Sequence, residues 1–189
     1  MKNIITCLIW VCLLYACGAP VNFTAHYNEV PTGLDKRINI EGCYISQFGC
    51  DSAFFSVYMF YPDGLFTIAT ASNFDSELIT CFEKGGDSRA CKYPLWGTYR
   101  LDGDLIRTQT IRTEGNGCVV FRDYRILPDG SIVNVSDYVD PDKTNLGYMQ
   151  NYPSYKTNEC EVVATFRPLQ TKRDRTDCPF LKKKWFKKD

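Results

Sequence analysis

Four turn sequences, each lying between runs of branched and aromatic residues, constrain the fold of this chain more than any other feature. They are Pro62-Asp63-Gly64, Asp102-Gly103, Asn116-Gly117 and Pro128-Asp129-Gly130. Asp-Gly and Asn-Gly pairs between apolar runs are the strongest local signals for β-hairpins, because these residues accept the positive φ angles of tight turns. The sequence therefore predicts a succession of antiparallel hairpins.

The runs between these turns predict about eight strands in one domain. The predicted strands are 42–48, 54–61, 65–71, 97–101, 105–112, 118–127, 132–139 and 161–167. No stretch of the domain has the apolar spacing that an amphipathic helix requires. Successive hairpins place sequence neighbours side by side, so the predicted fold is all-β. We expect an up-and-down antiparallel meander that closes into a small barrel.

The first seventeen residues have the composition of a secretory signal. Lys2 precedes an apolar run at 4–14, which is shorter than the ~20 apolar residues that span a bilayer as a helix. The sequence Leu14-Tyr15-Ala16-Cys17 resembles the bacterial lipobox, in which the cysteine is diacylated, for example with palmitate, and becomes the N-terminus. The alternative is an ordinary secretion signal cleaved after Gly18. Both interpretations predict export, and the lipobox predicts lipidation of Cys17.

The prediction divides the chain into four parts. They are a signal peptide at 1–17, a flexible tether at 18–37, a barrel domain at 38–170 and a basic tail at 171–189. The tether is expected because 18–37 is polar and contains Pro20, Pro31 and Gly33.

The tail has a charge opposite to that of the rest of the chain. It holds eight basic and three acidic residues, which leaves 14 basic and 19 acidic residues in 1–170. Two interpretations stay open. Either Trp185 and Phe186 dock on the barrel while the lysines stay in water, or the lysines contact an acidic membrane surface or partner.

Seven of the ten cysteines lie after Cys17, in a chain that is expected to be exported. Disulfides are the ordinary state of cysteines in oxidising compartments. Cys81 and Cys91 flank one polar loop and form the predicted disulfide. A Cys43–Cys50 bond is the alternative, although it would close a short loop. No Cys-x-x-Cys pair occurs, and the only histidine is His26, so no metal site is expected.

Catalytic motifs are missing from the predicted domain. His26 lies in the predicted tether, where it cannot complete a Ser-His-Asp or Cys-His arrangement in the barrel. The glycine pairs are turn residues rather than a phosphate-binding loop. We therefore expect a non-enzymatic protein with no cofactor and no nucleic-acid partner.

Candidate ligand-binding residues come from the mixed composition of two strands. Alternation places Arg107 and Gln109 on one face of 105–112, and Arg122 and Tyr124 on one face of 118–127. Polar residues among aromatic ones on an inner face are typical of a barrel with a partly polar cavity. The alternative is that these four side chains are surface residues or fix the strands by internal hydrogen bonds.

Several segments together resemble the lipocalin-like lipoproteins of Bacteroides-type bacteria. They are Gly42-Cys43-Tyr44, the hairpin at 60–66, the hairpin at 96–106 and the ending Lys184-Trp185-Phe186. The resemblance implies a small lipocalin-like barrel held in the bacterial cell envelope, at the outer membrane, through an N-terminal lipid. The expected function is binding of a small apolar or amphipathic ligand. The alternative is a structural or adhesive envelope lipoprotein with a filled barrel, no small ligand and an envelope protein as partner.

Overall fold

The computed structural model describes 23–24, 27, 29–47, 54–71, 79–80, 83, 94–112, 118–138, 156–157 and 161–187 of the 189 residues. Strands β1 to β9 are Gly42–Gln47, Phe55–Phe60, Leu65–Ala71, Leu95–Asp102, Leu105–Arg112, Cys118–Ile126, Ile132–Tyr138, Lys156–Thr157 and Val163–Pro168. Short 3-10 turns lie at Leu34–Lys36, Arg175–Asp177 and Lys184–Phe186.

Eight of these strands close an antiparallel up-and-down barrel. The pairing order is β6-β5-β4-β3-β2-β1-β9-β7, and β6 also pairs with β7 to close the sheet. Among the described strands, β8 pairs with β7 alone, at Ser136 and Asp137. The predicted all-β meander of eight barrel strands is confirmed. Three of the predicted turns are described, and each has a glycine with a positive φ, between 59° and 93°; the turn at 116–117 lies outside the described residues.

The two ends of the barrel differ in the length of their connections. At one end the chain turns within 61–64, 103–104 and 127–131. At the other end it connects strands through 48–54, 72–94, 113–117 and 139–162, which include most of the residues that the structure does not describe. We call these the short-turn end and the long-loop end.

Aromatic and aliphatic side chains pack in the short-turn half of the barrel interior. This apolar half consists of Leu34, Ile38, Ile40, Tyr44, Tyr58, Phe60, Phe66, Ile68, Tyr99, Ile106, Tyr124, Ile132 and Ala164, all of which are buried. The ring of Phe60 lies 5.0 Å from that of Phe66 and 5.5 Å from that of Tyr99. Leu34 is fully buried and joins this cluster from the 3-10 turn at Leu34–Lys36.

A second apolar cluster covers the outer face of β1 to β5. Its strand members are Cys43, Val57, Met59, Leu65, Ala69, Trp96 and Ile111, and its outer members are Phe23, Tyr27, Cys178, Phe180, Trp185 and Phe186. Tyr27 and Lys187 form a parallel β-bridge. Both ends of the described chain therefore pack together as a layer outside the barrel.

The described part of 18–37 corrects the prediction of a flexible tether. Tyr27 is 1% exposed, and its hydroxyl donates a hydrogen bond to Asp63 at 2.7 Å. The backbone N–H of Thr32 donates to the carbonyl of Pro62 at 2.8 Å. These contacts join residues that are about 30 positions apart, which local composition does not encode. The folded domain therefore begins before residue 38.

The structure tests the predictions for the tail and for the cysteines only in part. Phe186 is fully buried and Lys182, Lys183 and Lys184 are exposed, so the predicted docking of Phe186 is confirmed, and a contact of the lysines with a membrane or partner stays a prediction. Cys17, Cys50, Cys81 and Cys91 lie outside the described residues, and the Cys81–Cys91 disulfide stays a prediction. Within the described ranges, Cys43 and Cys178 are buried free thiols.

Candidate binding site in the barrel interior

Polar side chains line the barrel interior toward the long-loop end. This polar layer consists of Ser46, Ser56, Thr70, Thr108, Thr110, Arg122 and Asp137. Side chains two residues apart on a strand share a face, so most of these residues continue inward faces that carry apolar side chains nearer the short-turn end. Ser46 follows Tyr44 in this way, and Arg122 precedes Tyr124.

Arg122 and Asp137 form an ion pair within the polar layer, in which Arg122 is buried and Asp137 is half-buried. Nε of Arg122 donates to Oδ1 of Asp137 at 2.6 Å, and the two side chains are 5% and 20% exposed. The pairing register of β6 and β7 shifts between Asp123 and Tyr124. Because of this bulge, Asp137 rather than Ser136 lies opposite Arg122. The local irregularity therefore creates the ion pair.

Most hydroxyls of the polar layer have hydrogen-bond partners in the barrel. Oγ of Ser46 lies 3.0 Å from the hydroxyl of Tyr58, and Oγ of Ser56 lies 3.4 Å from Oγ1 of Thr70. Oγ1 of Thr108 donates to the carbonyl of Arg122 at 3.0 Å. These hydroxyls are therefore satisfied by the barrel itself.

Thr110 differs from Thr108, although both side chains point inward from β5. Oγ1 of Thr110 is buried and has no hydrogen-bond partner among the residues that the structure describes. Thr110 lies opposite Gly97 of β4, where an added Cβ would come within 1.8 Å of the carbonyl of Gln109. Since a buried polar atom without a partner costs about 1–3 kcal/mol, this hydroxyl points to a missing partner.

Tyr124 marks the border between the apolar half and the polar layer. Its ring packs edge-on against Tyr58, with the centroids 5.2 Å apart. Burial raises the pKa of the Tyr124 hydroxyl well above its ordinary value. The hydroxyl is therefore neutral at physiological pH and can donate a hydrogen bond.

The structure separates the four residues that the sequence grouped together. Arg122 and Tyr124 point into the barrel, whereas Arg107 and Gln109 point outward and cannot line its interior. Arg107 pairs with Asp102 at 3.0 Å on the surface. Gln109 is buried beneath the N-terminal segment, where it accepts a hydrogen bond from the N–H of Thr24 at 3.0 Å and donates to its carbonyl at 2.9 Å. Of the four predicted residues, only Arg122 and Tyr124 therefore stay candidates for a site in the barrel interior.

Sequence reasoning missed Thr108, Thr110 and Asp137. The two threonines alternate with Arg107 and Gln109, so the choice of the wrong inward face for β5 removed them. A local signal existed, because Ile106, Thr108 and Thr110 are uncharged at consecutive positions of one face, whereas the opposite face has Arg107 in its middle. Asp137 had no such signal, since its position depends on the bulge.

Comparison with protein-family models, curated proteins and solved structures finds no match to this chain. Within the described ranges, no three metal-ligating side chains come together as a metal site would require. No helix in that part of the chain has the length and apolar character to cross a membrane. Function is therefore inferred from the geometry of the barrel.

Proposed function

We propose that this protein binds a small amphipathic ligand inside the barrel without catalysing a reaction, and that a lipid on Cys17 holds it at the outer membrane of a bacterial envelope. The observation that carries the binding proposal is the polar layer, with its Arg122–Asp137 ion pair and the hydroxyl of Thr110. A barrel that only needed filling would be at least as stable with apolar side chains at the positions of the ion pair.

The two halves of the interior define how such a ligand would bind. The rings of the apolar half already occupy the short-turn end, so the ligand enters from the long-loop end and stops at Tyr58 and Tyr124. Its polar group would bond to Thr110 and the layer around Arg122. Its apolar part would pack on the inward side chains of Leu95 and Val120, which adjoin Gly97 and Thr110. Pockets of this kind are largely apolar with a few placed polar groups.

The alternative is a structural or adhesive protein with a filled barrel. The close packing of Phe60, Phe66 and Tyr99 favours it for the short-turn half. In that case Thr110 would be bonded by a residue of the chain outside the described ranges, and the interior would take up no ligand.

A titration with 1-anilinonaphthalene-8-sulfonate, an amphipathic fluorescent anion, separates these two functions. We expect one saturable site, weakened at least tenfold by Arg122→Gln. The control is Gln109→Leu, which changes a buried polar residue on the outer face and should leave the affinity unchanged. Absence of saturable binding, or equal effects of the two variants, would contradict the binding proposal.

The proposed attachment has its own test. The mass of the mature N-terminus should correspond to a diacylated Cys17. An unmodified N-terminus that begins after Gly18 would overturn the attachment and leave the binding proposal untouched.

A further inference from the structure

Three consecutive exposed lysines project from a fixed turn near the end of the chain. This lysine patch consists of Lys182, Lys183 and Lys184. The backbone around it is held by hydrogen bonds from the N–H of Lys183 to the carbonyl of Phe180 at 2.8 Å, and from the N–H of Phe186 to the carbonyl of Lys183 at 3.1 Å. The patch is therefore part of an ordered turn.

Aromatic packing attaches this turn to the barrel. Phe180 and Phe186 are buried, and their ring centroids lie 5.7 Å apart. Trp185 is half-buried and packs on Phe180 at 5.6 Å. No carboxylate in the described part of the chain forms an ion pair with the lysine patch. Three positive charges are thus presented to the outside from a rigid base.

The N-terminal segment reaches the same turn. The ring of Phe23 stacks on Phe186 at 5.4 Å and packs edge-on against Trp185 at 5.3 Å. Cys17 precedes Phe23 by six positions in the sequence, a length of chain that spans at most roughly 20 Å. A lipid on Cys17 would therefore keep the lysine patch close to the surface of the bilayer.

We propose that the lysine patch lies against the anionic phospholipid headgroups of the membrane that holds the N-terminus, and so fixes the orientation of the barrel on that membrane. This inference rests on the membrane attachment in the proposed function. Clustered lysines beside a membrane anchor are attracted to anionic lipids over about a Debye length. An anionic membrane is favoured over an acidic protein because the proposed anchor itself brings the membrane to this face.

Trp185 provides a built-in probe of this contact, since Trp96 is buried and Trp10 lies in the signal peptide. The protein with its native N-terminus is mixed with phosphatidylcholine vesicles, with or without phosphatidylglycerol, that carry a headgroup spin label. We expect strong quenching of Trp185 only with the anionic vesicles, and at least a threefold loss of that quenching at high salt.

The triple variant K182Q/K183Q/K184Q should reduce this quenching to the level of the neutral vesicles. The matched control K36Q/R100Q/R125Q removes the same charge from exposed positions and should keep it. Flotation with neutral vesicles reports the lipid attachment alone, so its failure would overturn the attachment separately. Equal quenching of Trp185 in the wild type and the triple variant, or preferential capture of an acidic protein over anionic vesicles, would overturn the membrane contact of the patch.

Discussion

The two halves of the barrel interior differ in what their buried atoms contact. In the apolar half, neighbouring rings pack against each other, with centroids 5.0–6.5 Å apart. In the polar layer, hydroxyls and an ion pair face the same interior, and Thr110 has no partner among the described residues. Packing of the first kind stabilises a fold, whereas buried polar groups cost free energy unless something bonds to them.

The same strands supply both halves, so the inward side chains change from apolar to polar along a single strand. On β5, Ile106 belongs to the apolar half and Thr110, four residues later, belongs to the polar layer. Mutations on one strand can therefore compare the two halves within a common backbone. We expect substitutions in the apolar half to change stability, and substitutions in the polar layer to change binding.

The largest expected effect is on stability, at the centre of the apolar half. Phe66→Ala should lower the free energy of unfolding by about 3–5 kcal/mol, because Phe66 is fully buried among Phe60, Tyr58 and Tyr124. Urea denaturation measures this change. A loss below about 1 kcal/mol would mean that the short-turn half is not the stabilising core.

Arg122→Gln should affect both properties. It leaves Asp137 partly buried without its cation, so we expect the free energy of unfolding to fall by about 3 kcal/mol, with at least a tenfold loss of affinity for the fluorescent anion. The double variant Arg122→Gln/Asp137→Asn should recover most of the stability without recovering the affinity. Recovery of both would show that Arg122 acts only through the fold.

The two threonines of β5 provide a matched pair with smaller effects. Thr108→Val removes a hydroxyl that donates to the carbonyl of Arg122, so stability should fall by about 1 kcal/mol. Thr110→Val removes a hydroxyl without a described partner, so stability should stay the same or rise, while affinity for the fluorescent anion falls several-fold. Thermal denaturation and the binding titration measure both. An equal loss of stability in the two variants would mean that Thr110 is bonded within the protein.

The pH dependence of stability tests the short-turn end without changing a side chain of the barrel interior. Lys172 donates to the carbonyls of Ile40 and Phe60, at 2.6 and 2.5 Å, beside the short-turn end. Burial lowers the pKa of its amine to about 8, against the opposing effect of Glu41 and Asp63. Between pH 8 and the unfolded-state pKa near 10.5, the unfolded chain binds this proton and the native chain does not, so stability rises with pH.

The thiols of Cys43 and Cys178 lower the stability as the pH rises above 9, because burial raises their pKa from 9.0 to about 11. The useful window is therefore pH 8 to 9. From pH 8 to pH 9, the free energy of unfolding of the wild type should rise by up to about 1.4 kcal/mol relative to Lys172→Met, which is the limit for one titrating group. The affinity for the fluorescent anion should change little. A constant difference between the two proteins across this window would show that the amine of Lys172 is not titrating there.

The sequence predicted the strands well because the signals for them are local. The Asp-Gly turns and the branched residues between them encode hairpins within about ten residues, and strand β5 has the predicted bounds of 105–112. Strand β4 extends two residues further toward its start than the predicted 97–101, because pairing with β3 at Leu95 and Trp96 is not a local property.

The candidate site was predicted only in part because it depends on contacts between distant strands. Alternation correctly divided Arg107 and Gln109 from Thr108 and Thr110, but only barrel closure decides which face of β5 points inward. Gln109 is buried because the N-terminal segment covers it, and it bonds there to Thr24, which is 85 positions away. The position of Asp137 depends on a bulge, which no nearby residue indicates.

Methyl NMR during a titration with 1-anilinonaphthalene-8-sulfonate tests the division of the barrel interior most directly. Thr110 and Val120 report the polar layer and its walls, whereas Ile106 and Ile132 report the apolar half. We expect saturable shifts of the Thr110 and Val120 methyl signals, with Ile106 and Ile132 nearly unchanged. Shifts confined to methyl groups on the outer face, or no saturable shift at Thr110, would contradict a ligand site inside the barrel.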